Sequence, residues 1–207
     1  MIKAEVNITG TVRRSASIRT DRNNQPYVSF VMSASLADGS GTRDIRVFVS
    51  VPQARQSDLS VYTEGQRVTA SGTMDIRRKD DGLSFYLTAR LVTAENVPAL
   101  DAISGTLSFR GYLKKENIFD ERTSKNGRPY LLFSAYSSEK VGDNFVSTWV
   151  TFMRFPEKNA TVESIKPDWL RPRAHVDISG DLRISFYKEA PSLSCIVREM
   201  TEHINNS

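Results

Sequence analysis

Two stretches of this chain set flat rings among cations. In "RDIRVFVSVP" (43–52), Arg46 and Phe48 are two residues apart, so in an extended strand they share a face with Asp44 and Ser50. In "STWVTFMRFP" (147–156), Val150, Phe152 and Arg154 repeat the arrangement. Cations neutralise phosphates and outward rings receive unstacked bases, a contact of roughly 1–3 kcal/mol per base that ignores base identity. The chemistry implied is non-covalent capture of a single nucleic-acid strand. Covalent chemistry lacks its usual constellations. The two histidines, His175 and His203, have no paired spacing for a metal, and no phosphate loop, nucleophile elbow or H-E-x-x-H occurs. Cys195 falls at an inward strand position, equivalent to Phe85, and reads as a packing residue rather than a nucleophile. "KDDG" (79–82) reads as a turn. The expectation is a non-enzyme with no cofactor and no metal.

More rings and cations fall where they could serve the same purpose. The stretch before the second strand carries Arg13, Arg14, Arg19 and Arg22, matched a hundred residues on by Lys114, Lys115, Arg122, Lys125 and Arg128. The stretch before the last strand carries Arg77, Arg78 and Lys79, matched by Arg183, Phe186, Tyr187 and Lys188. Both stretches are read as loops rimming the face. Strand parity adds Tyr27 on one outward row, and Tyr130 and Tyr136 on another, opposite Val28, Phe30, Met32 and Ala34 and opposite Leu131, Phe133 and Ala135. The same parity turns Ile45, Val47, Val49 and Val51 inward, and puts Trp149 inward beside Thr151, Met153 and Phe155.

These residues sit in a duplicated sequence. "ITGTVRRSASIRTDRNNQPYVSFVMSAS" (8–35) parallels "FRGYLKKENIFDERTSKNGRPYLLFSAYS" (109–137), and three later segments follow in the same order. A collinear period of about a hundred residues means a doubled domain, too long for a solenoid repeat. The copies divide at "ENVPALDA" (95–102), giving domains 1–98 and 103–207. Each copy shows period-two alternation broken by Gly, Asn and Asp, which reads as five strands with a helical or irregular stretch after the third (53–65 in the first copy). Five short strands with that insertion suit an all-β closed barrel of the oligonucleotide-binding (OB) type, because closure removes exposed sheet edges. Two tandem OB barrels are therefore expected, with an open sandwich as the rival.

At 207 residues and net charge +4 the chain has room for two small cores and a mildly basic surface. One cysteine excludes an internal disulfide framework. No apolar run reaches the roughly 20 residues that span a bilayer, and "MIKAEVNITG" lacks the pattern of a signal segment. A cytoplasmic setting is expected, the host's if the chain is phage-encoded.

The stretch "TEGQRVTASGTMDIRRKDDGLSFYLTARLV" (63–92) resembles the last two strands of bacterial single-stranded DNA-binding proteins, through Glu64, Gly65, Val68, Gly72, Met74, Arg77, Arg78, Asp81, Gly82 and Tyr86. "NITGTVRRSASIRT" (7–20) is similar to that family's opening strand and "YVSFVMSAS" (27–35) to its second. The resemblance implies OB folds and four barrels per functional unit. It implies sequence-independent binding of single-stranded DNA in replication, recombination or repair. Two barrels per chain look like the tandem arrangement of the Deinococcus–Thermus branch, so a homodimer is expected. The family's third strand begins with a stacking tryptophan; the first copy has Asp44 and Ile45 there, and the second has Trp149, which stays a binding candidate. The closing "REMTEHINNS" has no acidic apolar tip for recruiting replication enzymes, which suits a phage or plasmid protein. The competing functions are a protein-interaction adaptor built on tandem barrels, and an RNA-binding protein.

Overall fold

A computed structural model describes residues 1–39, 41–52, 59–79 and 82–204. Residues 53–58 of the 53–65 stretch and the two aspartates of the 79–82 turn lie outside the described residues. The chain forms two compact units. One comprises Lys3–Gly105 with Ser185–Pro191, the other Met1–Ile2, Thr106–Ile184 and Ser192–Ser207.

In the first unit β1 (Ile2–Thr20), β2 (Pro26–Asp38), β3 (Gly41–Pro52), β4 (Arg67–Lys79) and β5 (Gly82–Thr93) are ordered β2-β3-β5-β4-β1, and a further β2–β1 pairing closes the ring. Only β3 and β5 run parallel among these pairs. This is the expected barrel. Closure is made by one long strand serving two partners: β1 pairs with β4 through Lys3–Thr11 and with β2 from Thr11 to Thr20. The hand-over needs backbone to touch backbone, and a Cβ at Gly10 would lie 2.1 Å from the Ser33 carbonyl oxygen.

The second unit repeats the device. β6 (Ala102–Leu113), β7 (Phe119–Thr123), β8 (Pro129–Val141), β9 (Asn144–Arg154), β10 (His175–Tyr187) and β11 (Ala190–Glu202) are ordered β6-β10-β11-β9-β8-β7, closed by a β6–β8 pairing at Tyr112 and Leu113. Gly111 stands where Gly10 does, its absent Cβ 2.2 Å from the Tyr136 carbonyl oxygen. What was one strand in the first unit is two here, since the chain leaves the sheet after Leu113 and returns as β7.

Alternation explains each core. Ile8, Val28, Phe30, Met32, Ile45, Val47, Val49, Val68, Met74, Phe85 and Leu87 fill the first barrel, and Leu107, Phe109, Leu131, Phe133, Val150, Phe152, Val176, Leu193 and Cys195 the second. Burying each of the larger side chains contributes roughly 1.5–3 kcal/mol. Tyr62, from the stretch after β3, stacks on Phe30 with ring centroids 5.1 Å apart. A single 3-10 turn, Val162–Ile165, occupies the matching place in the second unit. Among the described residues no helix is long and apolar enough to cross a membrane.

Three sequence expectations need correction. The "loops" of cations are largely strand: Arg13, Arg14 and Arg19 lie on β1, Arg77, Arg78 and Lys79 on β4, Arg122 on β7, and Arg183, Phe186 and Tyr187 on β10. Polar residues on both faces hid these stretches, because strands that project beyond a core lose their alternation. Bulges between Val12 and Arg14 and between Arg14 and Ser17 let β1 continue through its basic run. The second correction concerns β9. Phe152 is fully buried, opposite Phe133, whereas Trp149 is 51% exposed, opposite Tyr136. Facing residues on paired strands share a side, so the inward row of β8 fixes that of β9; a one-residue slip in matching the copies had exchanged its faces. In register Arg46 corresponds to Trp149, and Phe48 to Thr151. The third is minor. Both Phe85 and Cys195 are inward, but the close approach of Gly72 to Thr88 and of Gly180 to Ile196 puts Cys195 level with Leu87.

Candidate nucleic-acid interface

On the first unit the residues of β2, β3 and β5 that face away from the core form cross-strand rows: Val31, Phe48 and Tyr86 in one, Ser33 and Arg46 in the next, Ser29, Ser50 and Thr88 on the other side, with Val31 and Ser33 covered by their neighbours. Phe48 and Tyr86 stack with centroids 5.3 Å apart and planes 21° from parallel, and the Lys79 ammonium lies 5.2 Å from the Tyr86 ring. Parallel pairing of β3 and β5 sets Phe48 beside Tyr86, which is why two rings far apart in sequence make one platform. A groove lies on each side of the pair. One, of about 870 Å³, is lined by Arg22, Tyr27, Pro52 and Thr88 among others; the other, of about 580 Å³, includes Arg13, Asp44, Arg46 and Phe48. Arg13 donates from Nε to Ser33 Oγ at 2.7 Å and pairs with Asp44 at 3.3 Å, which holds its guanidinium on the groove wall. Arg14, Arg19, Arg22, Arg46, Arg77, Arg78 and Lys79 are exposed.

The second unit presents rings differently. Trp149 and Tyr136 have centroids 4.9 Å apart, Tyr136 and Tyr112 6.1 Å, and Tyr112 lies 4.4 Å from His175 with planes only 12° apart. His203 closes the row edge-on to His175 at 4.3 Å. Five rings thus run across β9, β8, β6 and β10 to the segment after β11. Burial, with His203 nearby, holds the His175 imidazole below its usual range, favouring the neutral ring that stacks on Tyr112. At the row's end Asp177 accepts from Arg110 Nε and from His203 Nδ1, each at 2.7 Å. Burial pushes its carboxyl up, yet these two donors outweigh it and leave Asp177 below the usual carboxylate range.

A smaller cluster stands at the β8 start. Tyr130 stacks on Phe155 at 5.0 Å, and the Arg128 guanidinium lies 5.2 Å over Phe155 while donating to the Pro156 carbonyl. Lys115, Lys125 and Arg128 are exposed; Lys114 is half-buried.

The structure therefore gathers Phe48, Tyr86, Arg46, Arg13, Tyr27 and Lys79 in the first unit, and Trp149 with Tyr136 in the second. It removes two candidates. Phe152 packs between Phe109 and Phe133 in the core, with centroid distances of 5.0 and 5.2 Å. Arg154, opposite the inward Leu131, donates to the Ile165 carbonyl at 2.9 Å, and burial lowers its pKa. Phe186, Tyr187 and Lys188, matched by sequence to the second barrel's rim, belong to the compact unit of the first. Tyr112, His175 and His203 escaped the sequence reading. Parity could have found Tyr112, which alternates with Leu107, Phe109, Gly111 and Leu113; nothing local signals that two histidines far apart in sequence meet. Among the described residues no group of three His, Cys, Asp or Glu could hold a metal ion.

No protein-family model and no curated protein matches the chain. Among solved structures it is similar to the wild-type single-stranded DNA binding protein from Thermus aquaticus, with 12% identity, a TM-score of 0.45, and coverage of 99% of this chain and 94% of that one. It is similar to the mitochondrial single-stranded DNA binding protein from S. cerevisiae, with 23% identity, a TM-score of 0.37, and coverage of 49% of this chain and 97% of that one. The small single-stranded DNA-binding protein from Streptomyces coelicolor matches at 16% identity and a TM-score of 0.33, over 45% of this chain and 90% of that one.

Proposed function

We propose that the chain binds single-stranded DNA without reading its sequence, laying unpaired bases on outward rings while strand-borne cations neutralise the phosphates. The carrying observation is the Trp149–Tyr136–Tyr112 row. Barrel cores take their rings inward, yet here Trp149 is 51% and Tyr112 41% exposed, on strands whose opposite face is already filled. A half-exposed tryptophan that fills no core costs solubility, and stacking on bases gives its free face a role. The Phe48–Tyr86 pair, with Lys79 over it, supplies the same combination on the first unit.

Duplex DNA keeps its bases stacked inside and offers no such face, so the rings select for single strands while cations alone would not. The proposed role is that of a coating protein in replication, recombination or repair. Intrinsic fluorescence tests the site directly. Adding oligo-dT at low salt quenches Trp149 emission, and equimolar duplex of the same length leaves it unchanged. Equal quenching by both would remove the stacking site.

A further inference from the structure

The hairpin joining β10 to β11 carries ring and cation in the order Phe186, Tyr187, Lys188, and its tip, Ser185–Pro191, is part of the compact unit that contains the first barrel. Two contacts show how. Glu189 pairs with Arg43 of β3 at 3.3 Å, and Pro191 forms part of the wall of the 580 Å³ groove that holds Arg13, Arg46 and Phe48. The tip is a two-residue turn with Lys188 and Glu189 both at positive φ, 47° and 72°. That geometry matches strand twist and makes a stiff hairpin end rather than a loose loop. On it Tyr187 is 68% exposed with the Lys188 ammonium 5.6 Å from its ring. This is the pairing of cation and flat face that Lys79 and Tyr86 present on the same unit.

We infer that the β10–β11 tip is a functional part of the first unit's strand-binding groove, with Tyr187 receiving a base and Lys188 a phosphate of the same DNA that lies on Phe48. A sequence-order view would give these residues to the second barrel. The inference rests on the proposed single-strand binding and adds to it a groove wall taken from the far end of the chain. The chemistry is complementary. Arg13 and Arg46 line the groove, Asp44 is occupied by Arg13, and Lys188 stands on the same turn three residues before Pro191 of the groove wall.

A double-mutant cycle on the full chain decides it, with filter binding of oligo-dT at fixed low salt. Tyr187→Ala touches an exposed ring and leaves the melting temperature unchanged. It weakens binding by about 5- to 150-fold, the range for loss of one stacked base. Combined with Phe48→Ala, the loss falls short of the product of the single losses by about twofold or more, because both rings hold one stretch of DNA. Combined with Trp149→Ala, the losses multiply. No effect of Tyr187→Ala, or coupling to Trp149 instead of Phe48, overturns the inference while Phe48→Ala still weakens binding and preserves the broader reading. No effect of Phe48→Ala, Trp149→Ala or Tyr187→Ala overturns both.

Discussion

Tyr136 and Trp149 stand directly opposite one another on β8 and β9, their ring centroids 4.9 Å apart on the outer face of the second barrel. One position along β9 from the outward Thr151, Phe152 opposes Phe133 on the inner face. Alternation of one strand thus separates a ring available to a ligand from a ring that holds the fold.

The two aromatics of β9 should therefore fail in different ways. Trp149→Ala lowers oligo-dT affinity by roughly 1–3 kcal/mol with little change in melting temperature. Phe152→Ala removes about 3–5 kcal/mol of stability. Thermal melts beside binding isotherms separate the two, and a large melting shift for Trp149→Ala would contradict the assignment of faces.

Closure of each barrel depends on backbone contact at one glycine. A Cβ at position 111 would meet the Tyr136 carbonyl oxygen at 2.2 Å, and the carbonyl cannot rotate away as a side chain could. Gly111→Ala should cost at least the roughly 1–3 kcal/mol of an overpacked core, read as a lower urea midpoint. Gly142 at positive φ in the β8–β9 turn has open space around it. Gly142→Asn, a residue that tolerates this conformation, should be nearly neutral by comparison.

Asp101 holds the start of β6 to the first barrel's wall. Its carboxylate accepts from Arg67 Nη1 at 2.7 Å and from the Ser35 backbone N–H at 2.8 Å, with its side chain only 13% exposed. Removing it strands a part-buried guanidinium and a backbone donor. Asp101→Ala should lower stability by roughly 1.5–3 kcal/mol in urea titration, while Asp101→Asn, which still accepts from Ser35, loses less.

Cys195 sets a limit at high pH. Burial pushes its thiol up to about 12, well above the ordinary thiol range. The folded chain keeps its proton where the unfolded chain releases it, so this contribution is complete below the unfolded pKa near 8.5–9 and is lost as pH rises toward 12. Between these limits stability should fall by about 1.4 kcal/mol per pH unit from this group, and Cys195→Ala should remove that part of the slope. Native protein at pH 8 should also leave Cys195 unreactive to a thiol reagent until it unfolds.

Much of this was legible in the chain. The repeat, the five-strand count and the inward rows of β2 and β8 follow from period-two alternation with one side buried. The failures share a physical origin. On β9 apolar residues occupy both sides, so alternation alone did not say which was dry; only pairing with β8 did. The basic stretches Arg13–Thr20 and Arg77–Lys79 extend past the core, where no burial imprints a pattern on the strand. Tyr112, His175 and His203 meet through the closing seam of the barrel, a contact that local sequence does not encode. The Ser185–Pro191 tip keeps its place in the repeat while lying in the other unit, which similarity between copies could not reveal.

The central claim is tested most directly by oligo-dT affinity across a salt series, for the unaltered chain and for Phe48→Ala combined with Trp149→Ala. The account predicts that log affinity falls with log salt at about −0.7 for each phosphate neutralised. It also predicts that the double variant keeps this slope but binds more weakly at every salt concentration, with duplex a poor competitor for the unaltered chain. A double variant that binds like the unaltered chain, or duplex that competes as well as single strands, would contradict it.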